Sequence, residues 1–166
     1  MADNKAFYSS SNTISCTLAS LGSSATWVAG QSTAEIDNSS SLNLDRPVSG
    51  QITVGTSPTS GTVIEIWLIP KLADGNYADV FDGTDKAITV TSRGVLISYG
   101  ILLSTILVDS TTSNRSYYFW SSISSKIGTL PPKKYQLFIT HNTGVALNST
   151  GGNHVIYETP EYVTTG

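Results

Sequence analysis

The run of β-branched and aromatic residues between Gly61 and Pro70 limits the possible folds more than any other part of the chain. In a strand, successive side chains point to opposite faces. The alternation gives Ile64, Ile66 and Leu68 on one face, and Glu65, Trp67 and Ile69 on the other. Because one face is wholly apolar and the other mostly so, we expect this strand to lie at the centre of a sheet that is covered on both sides.

Such a strand needs neighbouring strands, and the composition favours them. The chain has 166 residues with 25 Ser, 21 Thr, 14 Gly and 6 Pro, whereas charged residues make up only 13%. Thr is common in strands, and Ser, Gly and Pro are common in turns. The expected fold class is all-β, an antiparallel two-sheet sandwich that is jelly-roll or immunoglobulin-like, with about eight to ten strands. We expect one sandwich domain over residues 13–166, after a flexible N-terminal arm of residues 1–12.

Local patterns predict elements before the central strand. Alternation predicts a first strand with Ile14, Cys16 and Leu18 on one face. The turn-rich residues 56–61 predict a hairpin that joins a strand ending near Val54 to the central strand. These two segments therefore place the first half of the chain in the same antiparallel arrangement as the central strand.

Further elements follow from alternation and from glycine. Residues 95–108 alternate and predict one continuous strand, with a helix over residues 101–108 as the alternative. Gly50 interrupts an apolar face, which indicates a bulge or a close approach of two backbones. Pro160 makes the last segment an edge strand or a tail.

The densest aromatic patch is residues 117–120, and on a strand its rings point alternately to two faces. Tyr117 and Phe119 then face opposite to Tyr118 and Trp120. The chain's tryptophans are Trp27, Trp67 and Trp120. Together with the tyrosines they would suit a sugar-stacking platform, and the alternative is packing in the core and on sheet faces.

Charge and cysteine content exclude several functional classes. The net charge is −3, and no basic run exists beyond Lys133 and Lys134, so we expect no nucleic-acid partner. Cys16 is the only cysteine, which excludes an intramolecular disulfide and favours folding in a reducing cytoplasm. The longest apolar run, residues 101–108, is far shorter than the ~20 residues of a membrane span, so we expect no membrane association.

An acidic loop follows the central strand and contains the candidate binding residues. These are Asp74, Tyr77, Asp79, Asp82 and Asp85. Carboxylates in such a loop could ligate Ca²⁺, although the spacing does not match an EF-hand. The alternative is a pair of Asp-Gly turns in a solvated loop. No Gly-x-Ser-x-Gly motif occurs, and we expect neither an enzyme nor a cofactor.

Several segments of the sequence resemble virion structural proteins of tailed bacteriophages, specifically capsid decoration (cement) proteins. They are residues 55–61 (GTSPTSG), 63–70 (VIEIWLIP), 73–79 (ADGNYAD), 130–144 (LPPKKYQLFITHNTG) and 157–163 (YETPEYV). The resemblance implies a protein made in the host bacterial cytoplasm that sits on the outer surface of the virion capsid. It implies the major capsid protein as partner and a homo-oligomer, trimer or dimer, and it carries over no site residues.

One hypothesis about the arm and two alternative functions complete this interpretation. The arm, with Phe7 and Tyr8 as apolar anchors, would reach a neighbouring subunit on the capsid and become ordered there. The alternative function is a receptor- or glycan-binding domain of a head or tail fibre, and a tail-tube or adaptor component is a third possibility. A fibre usually has repeats or heptads in its stem, and this sequence has none.

Overall fold

The structure is a computed structural model that describes residues 4–165. Its strands and helices are β1 (Asn4–Tyr8), β2 (Asn12–Thr13), β3 (Ala29–Ser32), β4 (Ile36–Asp37), β5 (Val48–Thr53), β6 (Thr62–Pro70), β7 (Lys86–Thr89), α1 (Arg93–Tyr99), β8 (Ile101–Val108), β9 (Ser116–Ser121), α2 (Ile123–Ile127), β10 (Lys134–His141), β11 (Val155–Glu158) and β12 (Glu161–Thr165). The strands form antiparallel sheets that pack together, so the predicted all-β sandwich is confirmed.

Two sheets make up the sandwich. The six-stranded sheet has the order β7-β3-β10-β6-β8, with β4 beside β10, and the four-stranded sheet has the order β2-β11-β5-β9. In the first sheet, β6 lies between β10 and β8, which confirms that the run after Gly61 is a central strand.

The core between the sheets is built from the inward faces predicted by alternation. Ile64 and Leu68 of β6 are fully buried there, and Tyr117 and Phe119 of β9 enter it from the other sheet. Gly50 lies opposite Phe119, and a Cβ at this position would come within 2.3 Å of the Val155 carbonyl oxygen. The predicted close backbone approach at Gly50 is therefore confirmed.

The predicted strand over residues 95–108 is wrong in its first half. Residues before Gly100 form the helix α1, and only the residues after it form β8. Ser92 begins the helix by accepting a hydrogen bond from the Val95 amide through its side chain, at 3.1 Å. This local N-cap satisfies a helix-end donor, and it outweighs the alternation. The alternative helix over residues 101–108 is also wrong.

The predicted hairpin over residues 56–61 is also wrong, because β5 and β6 belong to different sheets. Val54 bridges to Leu147 at the end of β5, and the following turn residues carry the chain from one layer to the other. The first predicted strand is shorter than expected. Only β2 is in the ladder, although Ile14 continues with an amide hydrogen bond of 2.8 Å to the Ile156 carbonyl.

The N-terminal arm contains regular structure that the sequence analysis did not anticipate. Of residues 1–12, the first three lie outside the described residues, and β1 pairs with β12 in a separate two-stranded sheet. We call this pair of strands the terminal ribbon. It holds Phe7 opposite Tyr162, with the two rings stacked at a centroid distance of 5.9 Å.

Candidate functional site

The outer face of the six-stranded sheet is covered by the chain itself, and we call it the covered face. Trp67, Ile69 and Phe138 project from this face and are buried beneath α1 and the loop between β6 and β7. Phe81 from that loop packs edge-on against Phe138 at 5.5 Å between ring centroids. Leu96 of α1 is also fully buried here, so the second core removes the aromatic rings of this sheet from water. Leu102 and Leu107 of the edge strand β8 lie on the same face, opposite Trp67 and Val63, and stay 37% and 58% exposed.

A charged cluster fastens the cover to the sheet. The Arg93 guanidinium of α1 donates two hydrogen bonds to the Glu65 carboxylate of β6, at 2.6 and 2.9 Å. The Trp67 indole N–H donates to the same carboxylate at 2.8 Å. Arg93 also lies over the rings of Trp67 and Trp27, at 4.8 and 5.4 Å from their centroids. This geometry gives Glu65 a paired charge and places the guanidinium where cation–π attraction adds to the ion pair.

Within residues 4–165, nothing covers the outer face of the four-stranded sheet in this way, and we call it the aromatic face. Tyr118 is 73% exposed, Trp120 is 67% exposed and Tyr157 is 38% exposed. Ser49 lies between Trp120 and Tyr157 in the ladder, and Gln51 lies opposite Tyr118. Neighbouring strands are ~4.8 Å apart and same-face residues of one strand are ~7 Å apart. Three large rings therefore share one face of the sheet around the polar side chains of Ser49 and Gln51.

Large exposed rings in a contiguous group are unusual on a monomeric protein and indicate an interaction surface. The predicted alternation of residues 117–120 is confirmed, since Tyr117 and Phe119 are buried. The three tryptophans, in contrast, form no common platform. Trp27 and Trp67 both lie beside Arg93 at the covered face, and only Trp120 belongs to the aromatic face.

The candidate residues of the acidic loop do not converge on one point. Each carboxylate caps backbone or side-chain donors close to it. Asp74 accepts from the Asn76 amide at 3.0 Å, and Asp79 accepts from the Thr91 amide at 2.8 Å. The Asp74 bond is an Asx-turn, in which Asp satisfies the backbone donor two residues on. The Asp79 bond instead joins the loop to the segment just before α1.

The rest of the loop serves the fold in the same way. Asp85 accepts from the Thr17 amide at 3.0 Å and ties the loop to the segment after β2. The hydrogen bond from Lys86 and those from Thr84 hold the pKa of Asp82 at about 2. Burial and the neighbouring Glu35 carboxylate raise the pKa of Tyr77, whose hydroxyl donates to Glu35 at 3.1 Å.

Within residues 4–165, no three His, Cys, Asp or Glu side chains lie close enough together to hold a metal ion. The described part of the chain also contains no helix that is long and apolar enough to cross a membrane. Cys16 is partly buried, and desolvation together with the charge of Asp85 raises the pKa of its thiol. A raised pKa keeps the thiol protonated and poorly nucleophilic.

The two anchor candidates of the arm lie on the terminal ribbon and are exposed. Phe7 is 41% exposed and Tyr8 is 72% exposed. Because directly opposite residues of a ribbon share a face, Phe7 and Tyr162 lie on one side, and Tyr8 and Glu161 lie on the other. Apolar side chains are therefore present on both sides of the ribbon.

Comparison with known proteins gives little to add to this geometry. No family model matches the sequence, and no curated protein is significantly similar to it. Among solved structures, the chain is similar to the VP2 subviral particle of infectious bursal disease virus, with 14% sequence identity and a TM-score of 0.23. The alignment covers 99% of this chain and 40% of the VP2 chain, and a TM-score this low does not establish a common fold.

Proposed function

We propose that this chain is a structural protein of a virion, and that it decorates the outside of a bacteriophage head by binding the major capsid protein. The observation that carries the proposal is the aromatic face, where Tyr118, Trp120 and Tyr157 remain exposed on one face of a sheet. The resemblance of residues 55–79 and 130–144 to phage virion proteins supports the same function. The proposal assigns the chain no enzymatic activity and no cofactor.

The physical properties of the aromatic face suit attachment to another protein surface. Exposed Tyr and Trp are the residues most enriched at the energetic centres of protein interfaces, because each buries a large area and retains a polar atom. The sheet is rigid, so little conformational entropy is lost on docking. When a protein bridges neighbouring capsid subunits or binds as an oligomer, individually weak contacts add to strong attachment.

Copy number per particle tests the function. Quantitative mass spectrometry of purified virions compares this chain with the major capsid protein. Decoration predicts a copy number within a small factor of that of the capsid protein. A handful of copies per particle would contradict decoration and favour a tail or fibre component, and absence from virions would overturn the proposal altogether.

Substitution of the rings tests the surface. Tyr118→Ser combined with Trp120→Ser should greatly reduce rebinding to heads from which the protein has been stripped. The matched control is Leu130→Ser, since Leu130 is also an exposed apolar residue but lies in the loop before β10. Equal rebinding of the double variant and the control would show that another surface makes the attachment.

Glycan binding by a head or tail fibre domain is the second candidate, and the same rings favour it. Flat exposed rings such as Trp120 and Tyr118 are suited to stacking on sugars, with Gln51 and Ser49 close by. Binding of purified protein to host-surface polysaccharide, lost in the double variant and kept in Leu130→Ser, would support this candidate. Rebinding to stripped heads without any binding to polysaccharide would reject it.

A further inference from the structure

The terminal ribbon is a two-stranded sheet that stands apart from the sandwich. Neither β1 nor β12 belongs to one of the two larger sheets, and within the described residues the ribbon has no extensive contact with another strand or helix. An isolated two-stranded ribbon is only marginally stable in water and normally needs a third strand or a packed face. The ribbon therefore lacks the packing that would stabilise it.

Hydrogen bonds at the base of the ribbon show which backbone groups point outward. The Ser9 amide donates to the Pro160 carbonyl at 2.8 Å, so this pair is bonded across the ribbon. Bonded and non-bonded pairs alternate in an antiparallel ladder. The next pair, Tyr8 and Glu161, is therefore non-bonded, and its N–H and C=O groups face away from the ribbon. The same alternation makes the backbone groups of Ala6 and Val163 face outward.

The outer edge of β12 already has a neighbour at its base. The Glu161 amide donates to the Asp45 carbonyl at 2.9 Å, and the Leu44 amide donates to the Glu161 carbonyl at 2.8 Å. These bonds confirm that the Glu161 backbone faces outward. The outer edge of β1 has no strand beside it within residues 4–165. The longer unpaired stretch of edge is therefore that of β1, where the outward backbone groups of Asn4, Ala6 and Tyr8 have no strand beside them, whereas β12 is already paired at Glu161.

We propose that this edge binds the same edge of a second copy of the chain. The two β1 strands pair antiparallel about a twofold axis at Ala6 and join two ribbons into one four-stranded sheet, β12-β1-β1-β12. By the alternation of the ladder, Ala6 bonds to Ala6 of the copy, and Asn4 bonds to Tyr8 of the copy, with about six backbone hydrogen bonds in all.

The side chains are compatible with this register. Lys5 lies opposite Phe7 of the copy, so the lysine stem and ammonium group meet a ring and not a like charge. No acidic residue belongs to β1, and the only charged side chain of its partner strand within residues 161–164 is Glu161, at the base of the ribbon. Phe7 and Tyr162 of both copies share one face of the new sheet, which gives it the apolar packing that the single ribbon lacks.

Proline substitution tests the edge. Ala6→Pro removes the outward N–H of β1 and leaves the bonds within the ribbon, because proline is tolerated where the N–H faces solvent. The matched control is Val163→Pro, which removes the outward N–H at the other edge. By sedimentation velocity over a concentration series, the unmodified chain should dimerise, Ala6→Pro should raise the dimer Kd at least tenfold, and Val163→Pro should leave it unchanged.

Several results would overturn the proposal. They are a monomer at all concentrations, a trimer, or an Ala6→Pro variant that dimerises as well as Val163→Pro does. The measurement uses purified protein without capsids, so it does not depend on what the aromatic face binds. A dimer that fails to bind heads would leave the pairing intact and contradict only the proposed function.

A cross-link gives a positive signal for the same pairing. Cα atoms of a bonded antiparallel pair are ~5.5 Å apart, which is within the range of a disulfide. In a Cys16→Ala background, Ala6→Cys should form a disulfide-linked dimer on mild oxidation, much faster than Val163→Cys does. Equal rates for the two variants, or no dimer from Ala6→Cys, would contradict the twofold axis at Ala6.

Discussion

The two outer faces of the sandwich both carry aromatic side chains on antiparallel strands, but these side chains are buried on one face and exposed on the other. On the six-stranded sheet, α1 and the long loop bury Trp67 and Phe138 in a second core. On the four-stranded sheet, Tyr118 and Trp120 stay in water. Within the described residues, covering segments lie on the six-stranded sheet only, and the apolar residues of that face that they leave exposed are Leu102 and Leu107 of the edge strand β8. The difference indicates that the covered face serves stability and that the aromatic face is available for a partner.

The largest expected effect is a difference in unfolding free energy between a variant of the covered face and a variant of the aromatic face. Phe138→Ala should lower the free energy of unfolding by about 3–5 kcal/mol, because it leaves a cavity between Phe81 and the sheet. Trp120→Ala should change it by no more than about 0.5 kcal/mol, as is usual for exposed positions. Urea denaturation of both variants checks this. Similar losses would mean that the aromatic face also supports the fold.

A second test compares an ion pair under the cover with one on the surface. Arg93→Ala should cost about 2–3 kcal/mol, since it leaves the mostly buried Glu65 carboxylate without its cation. Arg115→Ala removes the exposed pair with Asp109 and should cost less than about 1 kcal/mol. Urea denaturation of the two variants measures both losses of unfolding free energy. A smaller loss for Arg93→Ala than for Arg115→Ala would contradict the prediction.

Acid should lower the stability of the fold by protonating His141 of β10, in the six-stranded sheet. Burial lowers the pKa of His141 to about 4, compared with ~6.5 for an unfolded histidine. The unfolded chain therefore binds a proton first, and stability falls as the pH drops from ~6.5 towards 4. The loss should be on the order of 1 kcal/mol at pH 5.5 relative to pH 7.5. His141→Gln should remove this pH dependence, and an unchanged dependence would assign it to another group.

The smallest effect concerns the carboxylates of the covering loop. Asp82→Asn breaks an ion pair with Lys86 in which both side chains are exposed, so the cost should be below about 0.5 kcal/mol. The Asp82 pKa of about 2 means that this contribution is present above pH ~4 and lost as the pH falls towards 2. Phe81→Ala should destabilise far more in the same denaturation assay. A larger loss from Asp82→Asn would show that charge, not packing, holds the loop.

Sequence patterns correctly predicted those parts of the fold that depend only on the alternation of side chains along a strand. The two faces of β6, and the opposite directions of Tyr117 and Tyr118, follow from the geometry of a strand.

The errors came from competing local signals and from long-range pairing. In α1, Val95, Ile97 and Tyr99 alternate as in a strand, but Ser92 supplies a helix cap and only Leu96 is fully buried. The predicted hairpin at residues 56–61 was wrong because turn residues do not determine whether the next strand joins the same sheet. For the same reason, alternation could not tell which side of β9 would face water.

Footprinting of the rings of the aromatic face tests the central claim most directly. Hydroxyl-radical labelling, read by mass spectrometry, compares Tyr118 and Trp120 in the purified protein and in intact virions, with Leu130 as the internal reference. If the aromatic face attaches the protein to the head, both rings should lose most of their reactivity in the virion while Leu130 keeps its own. Rings that react equally in both samples would contradict the assignment of this face as the attachment surface.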